Sequence, residues 1–360
     1  MNSRKWLAGF FGLVLAGAVA VGGLIIGVDP FFHYHKPLAQ LFYRLHVERY
    51  QNDGIVRNFD YDSIIVGASM VDTYKTSLMD SLFGGKSVKI PLSAGSFYET
   101  NNHLLRAYKT HDVKNVVRSL EFQMIIQEPD FLREDLGDIT YPLYLYNDNP
   151  FDDVEYVLNK DVLFEEVMVM LKKYRDGEEG GITSFDRYAN YMYYSSTEFS
   201  REACLEGRKS FKEPSKMAEL SEDDRKLIWQ NVTENLVSVA REHPETTFYY
   251  FIPPWSVVHW GDEYASGKLK RTLDAERIMV SMLLECDNIH LFSFNMWTDV
   301  TENLDLYKDP VHCTGSVHDE ILQKMHDDDP AFRLTRENYE EFLNNEMEFY
   351  MNYDYNSIFT

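Results

Sequence analysis

The feature that most constrains this chain is an uninterrupted apolar run near its N-terminus. The run from Trp6 to Val28 reads WLAGFFGLVLAGAVAVGGLIIGV and contains no charged residue. At about 1.5 Å of rise per residue, roughly 20 apolar residues span the hydrocarbon core of a bilayer. The run therefore predicts a transmembrane helix, and a folded domain has to be built from the residues that follow it.

Charges that flank the run predict its orientation. Arg4 and Lys5 precede it and Asp29 follows it. Because basic flanks stay on the cytoplasmic side, we expect everything after Asp29 to lie outside the cytoplasm. The alternative is a cleaved signal peptide with Ala18-Val19-Ala20 as its cleavage site. The apolar run continues for eight residues beyond Ala20, and this favours an uncleaved anchor in the cell membrane.

Composition excludes several classes of protein. The chain has 360 residues, 44% of them hydrophobic and 26% charged, which is typical of a globular protein with a core. Its formal net charge of -23 repels phosphate backbones, so nucleic-acid binding is excluded. Cys204, Cys286 and Cys313 show no CxxC spacing, so neither a zinc ribbon nor a redox pair is predicted, and one disulfide stays possible.

Directly after the apolar run, residues 29–37 read DPFFHYHKP. Aromatic rings favour the membrane interface, so this segment forms either an interfacial collar or a loop that packs on the soluble part of the chain. The spacing of apolar residues then predicts a helix over Leu38–Tyr50.

From Tyr61 onward, short apolar runs alternate with stretches of helical periodicity. The predicted strands are Tyr61–Gly67, Ser87–Leu92, Val113–Phe122, Thr246–Ile252 and Asn288–Phe294. The predicted helices are Thr73–Phe83, Ser96–Lys109, Leu269–Leu284 and Gly315–His326, together with a helix that a capping box opens at Ser221. Such alternation predicts an α/β fold with a parallel sheet covered on both faces.

The alternation stops over residues 128–220, which are rich in Tyr, Asp and Glu. We predict a helical insertion there. The chain then divides into an anchor (1–28), a juxtamembrane segment with a helix (29–60), an α/β domain (61–334) that contains the insertion, and a C-terminal helical tail (335–360).

One candidate nucleophile follows the first predicted strand, where the sequence reads Gly67-Ala68-Ser69. In open α/β sheets, ligands bind beyond the carboxyl ends of the strands, so a serine at this point faces the crevice. The motif is not the GxSxG elbow, because Val71 follows Met70.

A second motif, Asp309-Pro310-Val311-His312, follows the last predicted strand and precedes a helix. A serine nucleophile needs a base that accepts its proton and an acid that orients the imidazole, and this motif supplies both residue types. By itself the motif also fits an ordinary turn with a surface histidine.

Taken together, a serine after the first strand and DxxH after the last resemble the SGNH (GDSL-like) hydrolase superfamily. The anchor with DPFFHYHKP, the segment IIVGASM and the segment LYKDPVHCTG resemble its membrane-anchored bacterial branch. That branch includes the D-alanine transfer proteins of teichoic acid systems and the polysaccharide O-acetyltransferases. The resemblance implies a three-layer, flavodoxin-like α/β sandwich over residues 61–334, with the insertion outside it.

The same resemblance implies roles for individual residues. Ser69 is the expected nucleophile, His312 the general base and then acid, and Asp309 the residue that orients it. The backbone N–H groups of Ser69 and Gly95 are the expected oxyanion donors, although Gly95 also fits a plain turn.

The superfamily often carries an asparagine donor after its third strand. Here that place reads SLEFQ, so Gln123 either substitutes for the asparagine or is structural. Trp255, after Pro253-Pro254, either stacks on a sugar ring or belongs to a packed loop. No metal-ligand spacing such as HExxH occurs, and the resemblance implies no cofactor.

The implied activity is transfer of an acyl group, such as acetyl or D-alanyl, to an envelope glycan or teichoic acid through an acyl-serine. The implied partner is a multi-spanning membrane O-acyltransferase that delivers the acyl group across the bilayer. An esterase of envelope glycans and a catalytically silent binding or assembly protein are the alternatives.

Overall fold

The computed structural model describes residues 3–133, 141–189 and 198–359. Within it the chain forms two compact units. The N-terminal unit comprises residues 1–60 and 137–184, and the sheet unit comprises residues 61–136 and 185–360. The predicted insertion over 128–220 is therefore divided between the two units, and its residues 134–140 and 190–197 lie outside the described part.

Eight strands are described, of which six form one sheet in the order β3-β2-β4-β6-β7-β8. The strands are β1 Phe42–Tyr43, β2 Ser63–Gly67, β3 Ser87–Pro91, β4 Asn115–Ser119, β5 Gly181–Ile182, β6 Thr247–Ile252, β7 Ile289–Ser293 and β8 Arg333–Leu334. All neighbours in the sheet run parallel except β8, which is antiparallel to β7. The predicted α/β class with a mostly parallel sheet is confirmed.

Fourteen α-helices are described. They are α1 Ser3–Val28, α2 Glu48–Asn58, α3 Thr76–Phe83, α4 Phe97–Tyr108, α5 Val154–Val157, α6 Met168–Arg175, α7 Arg201–Leu205, α8 Glu222–Val232, α9 Ser238–Glu242, α10 Val257–Ala265, α11 Leu269–Leu283, α12 Thr298–Thr301, α13 Gly315–His326 and α14 Tyr339–Asn352. The capping box predicted at Ser221 is present, since Ser221 and Asp224 exchange side-chain to backbone bonds of 3.0 Å at the start of α8.

Apolar side chains on both faces explain why the sheet lies inside its unit. Ile64, Ile65 and Val66 of β2 have no exposed surface, and all five residues of β3 are buried. Each fully buried aliphatic side chain contributes roughly 1.5–3 kcal/mol to folding. Because the strands are parallel, the carboxyl ends of β2, β4, β6 and β7 meet at one edge of the sheet.

The helix predicted over Leu38–Tyr50 is wrong. This segment instead contains β1, and the next helix begins only at Glu48. Phe42 pairs in parallel with Gly181 of β5, and the Tyr43 hydroxyl donates to the Val28 carbonyl at 2.7 Å. A strand partner far along the chain overrides the local helical spacing.

The aromatic segment at residues 29–37 packs within the N-terminal unit, and its role as an interfacial collar stays a prediction. Asp29 is buried, and its carboxylate accepts the backbone N–H groups of His33, Tyr34 and His35 at 2.7–3.0 Å. The Tyr156 hydroxyl donates to the same carboxylate at 2.8 Å. Asp29 therefore ties the end of α1 to the loop that follows it.

Helix α1 is long and apolar enough to cross a membrane, as the sequence predicted. The three cysteines are buried and free, so the disulfide that the sequence left open is not formed.

The C-terminal tail belongs to the sheet unit rather than forming a part of its own. Helix α14 packs on α11 and places Glu346 beside Glu276, both without appreciable exposure. Burial, and then the charge of Glu346, raises the pKa of Glu276 well above its ordinary value. Burial likewise raises the pKa of Glu346 to about 8.

This pair predicts a loss of stability as the pH rises. The folded state holds protons that the unfolded state has released above about pH 4.5, so the free energy of unfolding falls as the pH rises from there towards the raised pKa of Glu346, about 8. We expect Glu276→Gln, which cannot ionise, to stabilise the protein near pH 8 more than near pH 5. Thermal unfolding of the full chain in detergent tests this. Glu341→Gln, on the exposed side of α14, is the control, and equal effects of Glu276→Gln at both pH values would contradict the prediction.

Candidate active site

Ser69 lies where β2 leaves the sheet. The strand ends at Gly67, and a 3-10 turn over Ser69–Val71 begins two residues later. The side chain of Ser69 is partly buried. Among the described residues, no acceptor is recorded for its backbone N–H, as is usual for the first residue of a helical turn.

Gly67 allows this strand end to lie against β4. A Cβ atom at Gly67 would come within 2.1 Å of the Ser119 Oγ atom and within 2.8 Å of a methyl group of Val71. Distances below 3.0 Å are not tolerated without displacement of the neighbours. The absence of a side chain at position 67 therefore sets how closely the serine turn approaches the neighbouring strand.

His312 lies in a tight loop between two hydrogen-bonded ends. Tyr307 and Cys313 form an antiparallel bridge, and the Lys308 N–H donates to the His312 carbonyl at 3.1 Å. Inside the loop, one carboxylate oxygen of Asp309 accepts the N–H groups of Val311 and His312, each at 2.9 Å. These bonds fix the Asp309 side chain before it contacts the imidazole.

The three predicted residues meet in a continuous line of hydrogen bonds. The second oxygen of Asp309 lies 2.7 Å from His312 Nδ1, and His312 Nε2 lies 2.8 Å from the Ser69 Oγ atom. This geometry fits the tautomer in which Nδ1–H donates to Asp309 and Nε2 accepts the serine hydroxyl. The arrangement can take a proton from Ser69 and stabilise the imidazolium that results.

The charge state of Asp309 suits this arrangement. Burial alone would raise its pKa, but the hydrogen bond and charge of His312, with the two backbone N–H groups, lower the pKa to about 2. Lys308 Nζ lies 3.7 Å from the carboxylate. Asp309 is therefore an anion across the physiological range and holds the orientation of the ring.

Residues after β6 support the histidine loop. The Pro310 carbonyl accepts both the N–H and the hydroxyl of Ser256, at 3.1 and 2.6 Å. The Tyr307 hydroxyl donates to the Pro254 carbonyl at 2.7 Å. Pro254 and Ser256 thus anchor the loop through a carbonyl, a backbone N–H and a hydroxyl, a role that the sequence did not predict.

The sequence predicted no role for His318, but the structure places this second histidine beside the site. It is buried on α13, bonded through Nδ1 to the hydroxyl of Thr73, and its Nε2 lies 3.3 Å from the Cys313 sulfur. Burial lowers the pKa of His318 to about 3, so the ring is neutral. His318 links the segment after Ser69 to the residue after His312. Its place on the apolar face of α13, next to Val317, is the signal that indicates burial.

Glu121 lies next to the serine turn, after β4. Its buried carboxyl accepts the Ser119 hydroxyl at 3.1 Å and the Ala68 backbone N–H. Burial raises the pKa of Glu121 to about 7, and these bonds oppose the rise. Gln123 donates its amide to the same carboxyl at 3.0 Å. Gln123 therefore orients Glu121, and its amide does not point at the serine as an oxyanion donor would.

Gly95 has a structural role in the turn after β3. Its N–H donates to the Leu92 carbonyl at 2.7 Å, which engages the group that the sequence analysis assigned to the oxyanion. A Cβ atom at Gly95 would lie 2.8 Å from the same carbonyl oxygen, so close packing on Leu92 explains the glycine. The preceding Ala94 adopts a positive φ of 55°.

Trp255 is 2% exposed and packs edge-on against Phe122, with ring centroids 5.0 Å apart. It lines a cavity of about 200 Å³ together with Gln123, His259 and Thr272, and neither Ser69 nor His312 lines that cavity. The indole belongs to a packed wall, so the packed-loop alternative is the one observed.

Comparison of the chain with known protein families and with curated proteins finds no match. Within residues 3–133, 141–189 and 198–359, no group of three or more His, Cys, Asp or Glu side chains is arranged to hold a metal ion.

The packing of Gly67 predicts a specific sensitivity. We expect Gly67→Ala to destabilise the protein by about 1–3 kcal/mol, because the new methyl group overlaps Ser119 and Val71. Ser119→Gly in the same chain should restore part of that loss, measured as thermal stability in a double-mutant cycle. Gly315→Ala is the matched control, since its Cβ atom would find ordinary contacts of 3.7–4.0 Å with Thr73. Additive effects of the two changes would contradict the prediction.

Proposed function

We propose that this chain is a membrane-anchored, extracytoplasmic serine acyltransferase of the SGNH type. The observation that carries the proposal is the hydrogen-bonded line from Asp309 through His312 to Ser69. Support also comes from the parallel sheet, at whose carboxyl edge β2 delivers the serine, and from the apolar helix α1. The three-layer architecture of that superfamily is part of this proposal.

The chemistry follows from the geometry in two half-reactions. The Ser69 oxygen forms a bond to the carbonyl carbon of an acyl ester while His312 Nε2 takes the hydroxyl proton. The bond between that carbon and the leaving oxygen then breaks, and His312 returns the proton to the leaving alcohol. In the second half-reaction an acceptor hydroxyl gives its proton to His312 and its oxygen bonds to the acyl carbon. The bond between that carbon and the Ser69 oxygen then breaks, and His312 returns the proton to Ser69.

The Ser69 backbone N–H is the first group able to stabilise the oxyanion, because it donates to no acceptor among the described residues. Gly95 and Gln123 are already engaged elsewhere. An oxyanion donor contributes about 2.7–4 kcal/mol to lowering the barrier in enzymes of this chemistry.

The acceptor that we propose is a hydroxyl of an envelope glycan or teichoic acid, and the donor an acyl group, such as acetyl or D-alanyl, supplied through a multi-spanning membrane O-acyltransferase. An anchored enzyme stays near a donor that emerges from the bilayer. The esterase alternative uses the same line of residues with water as the acceptor.

Covalent labelling tests the nucleophile. We expect a fluorophosphonate to modify the full chain at Ser69, located by peptide mass spectrometry, and we expect Ser69→Ala and His312→Ala to abolish the adduct. Ser81→Ala and His326→Ala, on the surface of α3 and α13, are the matched controls and should label like the native chain. Undiminished labelling of Ser69→Ala would refute the assignment.

Orientation of the imidazole is tested separately. Asp309→Asn keeps the shape of the side chain but favours the wrong tautomer, and should slow cleavage of an activated acetyl ester by roughly 10³–10⁴-fold. Binding of the ester, measured as KM, should change far less than kcat. A loss smaller than tenfold would mean that Asp309 only shapes its turn.

Transfer and hydrolysis are distinguished by the fate of the acyl group. With an activated ester as donor and a glycan fragment as acceptor, a transferase acylates the fragment in a His312-dependent reaction. Release of free acid at a rate independent of the acceptor would favour the esterase. Retention of the cellular phenotype by Ser69→Ala would favour a binding or assembly protein.

A further inference from the structure

Helix α1 is covered along one stripe of its C-terminal part. Gly22, Ile25 and Val28 are buried, a spacing of three residues that places them on one face of the helix. The covering segment includes α5 and the π-helical turn Val162–Val167, both within the N-terminal unit. A Cβ atom at Gly22 would lie 3.7–3.9 Å from Val157, so the two backbones approach closely.

The depth of this contact follows from helix geometry. The 23 residues from Trp6 to Val28 extend about 34 Å, and the hydrocarbon core of a bilayer is about 30 Å thick. A centred helix leaves about 2 Å of apolar length beyond each boundary. Gly22 lies six residues before Val28, or about 9 Å. For an upright, centred helix, Gly22 and the neighbouring Val157 then lie about 7 Å inside the outer boundary of the hydrocarbon.

Large apolar side chains are exposed on either side of Val157. They are Phe151, Val154, Leu158, Phe164 and Met168, called the apolar patch below. Phe151 is 88% exposed and Phe164 65% exposed. Val154 belongs to the four-residue helix α5, with Phe151 and Leu158 on either side of it, and Phe164 belongs to the π-helical turn, four residues before Met168. Clusters of exposed apolar side chains mark surfaces that meet a partner or a membrane.

We propose that the apolar patch is inserted in the outer leaflet of the bilayer, with lipid acyl chains as its occupant. This inference rests on α1 crossing the membrane, which belongs to the proposed function. Lipid is the occupant favoured by continuity, because Leu24 and Ile26, on the uncovered faces of α1 at the level of this contact, are exposed apolar side chains as well. A segment that packs on α1 at this depth meets the same solvent as α1 itself.

Charged neighbours limit how deeply the segment lies. Glu155, Lys160, Asp161 and Glu165 are exposed among the apolar residues, and Lys160 Nζ lies 3.6 Å from Asp161. An amphipathic segment in the interface buries its apolar face roughly 5–10 Å and keeps its charges among the headgroups. The segment 151–168 matches this description, so it lies along the membrane plane and does not cross it.

Depth-dependent quenching in vesicles tests the proposal. The full chain, with Phe164→Cys carrying an environment-sensitive NBD label, is reconstituted in phosphatidylcholine and phosphatidylglycerol vesicles. The three native cysteines are buried, so labelling is directed to the new site. We expect nitroxide lipids to quench this label several-fold more than aqueous iodide does.

Trp229→Cys is the matched control, because Trp229 is a comparably exposed apolar residue, at 60%, on α8 of the sheet unit. Its label should show the reverse preference, with iodide the better quencher. A Phe164 label that behaves like the Trp229 label would overturn the proposal. So would protection of the Phe164 label that appears only when a partner membrane protein is added, since that outcome assigns the patch to a protein.

A second label distinguishes an error in the proposal about the apolar patch from an error in the assignment of the anchor. A label at Leu13→Cys, in the middle of α1, reports the membrane span itself. Quenching by lipid at Leu13 but not at Phe164 removes the proposal and leaves the anchor. Lipid quenching at neither site would contradict both the insertion of the apolar patch and the membrane span of α1. Fluorophosphonate labelling of Ser69 in the same samples reports the proposed chemistry independently, and Phe164→Ser should leave it unchanged.

Discussion

The hydrogen bond between His312 Nε2 and the Ser69 hydroxyl joins two residues separated by 243 positions in the chain. The parallel sheet brings the carboxyl ends of β2 and β7 to the same edge, with β4 and β6 between them. Ser69 lies two residues beyond β2, whereas His312 lies nineteen residues beyond β7, in a loop that Ser256 anchors from the segment after β6. A shift of about an ångström in either segment would take the two atoms out of the hydrogen-bond range of about 2.7–3.2 Å. The sheet and the histidine loop together fix this distance.

Several contacts hold the two ends of that bond in place. Gly67 lets the serine turn lie against Ser119, and Ser256 fastens the carbonyl of Pro310 beside the histidine. His318 connects Thr73 with Cys313, and so ties the chain after the serine to the chain after the histidine. Each of these groups is buried or bonded to backbone, so the folded protein itself maintains the geometry.

The sequence predicted the strands well because a buried parallel strand is a short apolar run, which is a local pattern. The structure also brings Ser69, Asp309 and His312 together, while their chemical roles stay a prediction. The helix over Leu38–Tyr50 failed because β1 pairs with β5, a partner about 140 residues away. The resemblance implied an oxyanion role for Gly95 and made Gln123 a candidate for the missing asparagine donor, whereas the Gly95 N–H donates to Leu92 and the Gln123 amide to Glu121. Hydrogen-bond partners of that kind cannot be obtained from spacing.

Part of the predicted insertion belongs to the N-terminal unit and packs on α1. Residues 137–184 interrupt the α/β pattern, yet they return to the segment at 1–60 and supply β5 and the cover of α1. A lone transmembrane helix is free to rotate and tilt, whereas a helix packed through Gly22 on Val157 is joined to a folded body with its own buried groups, such as Asp29. The insertion therefore restricts the rotation and tilt of α1 relative to the rest of the N-terminal unit.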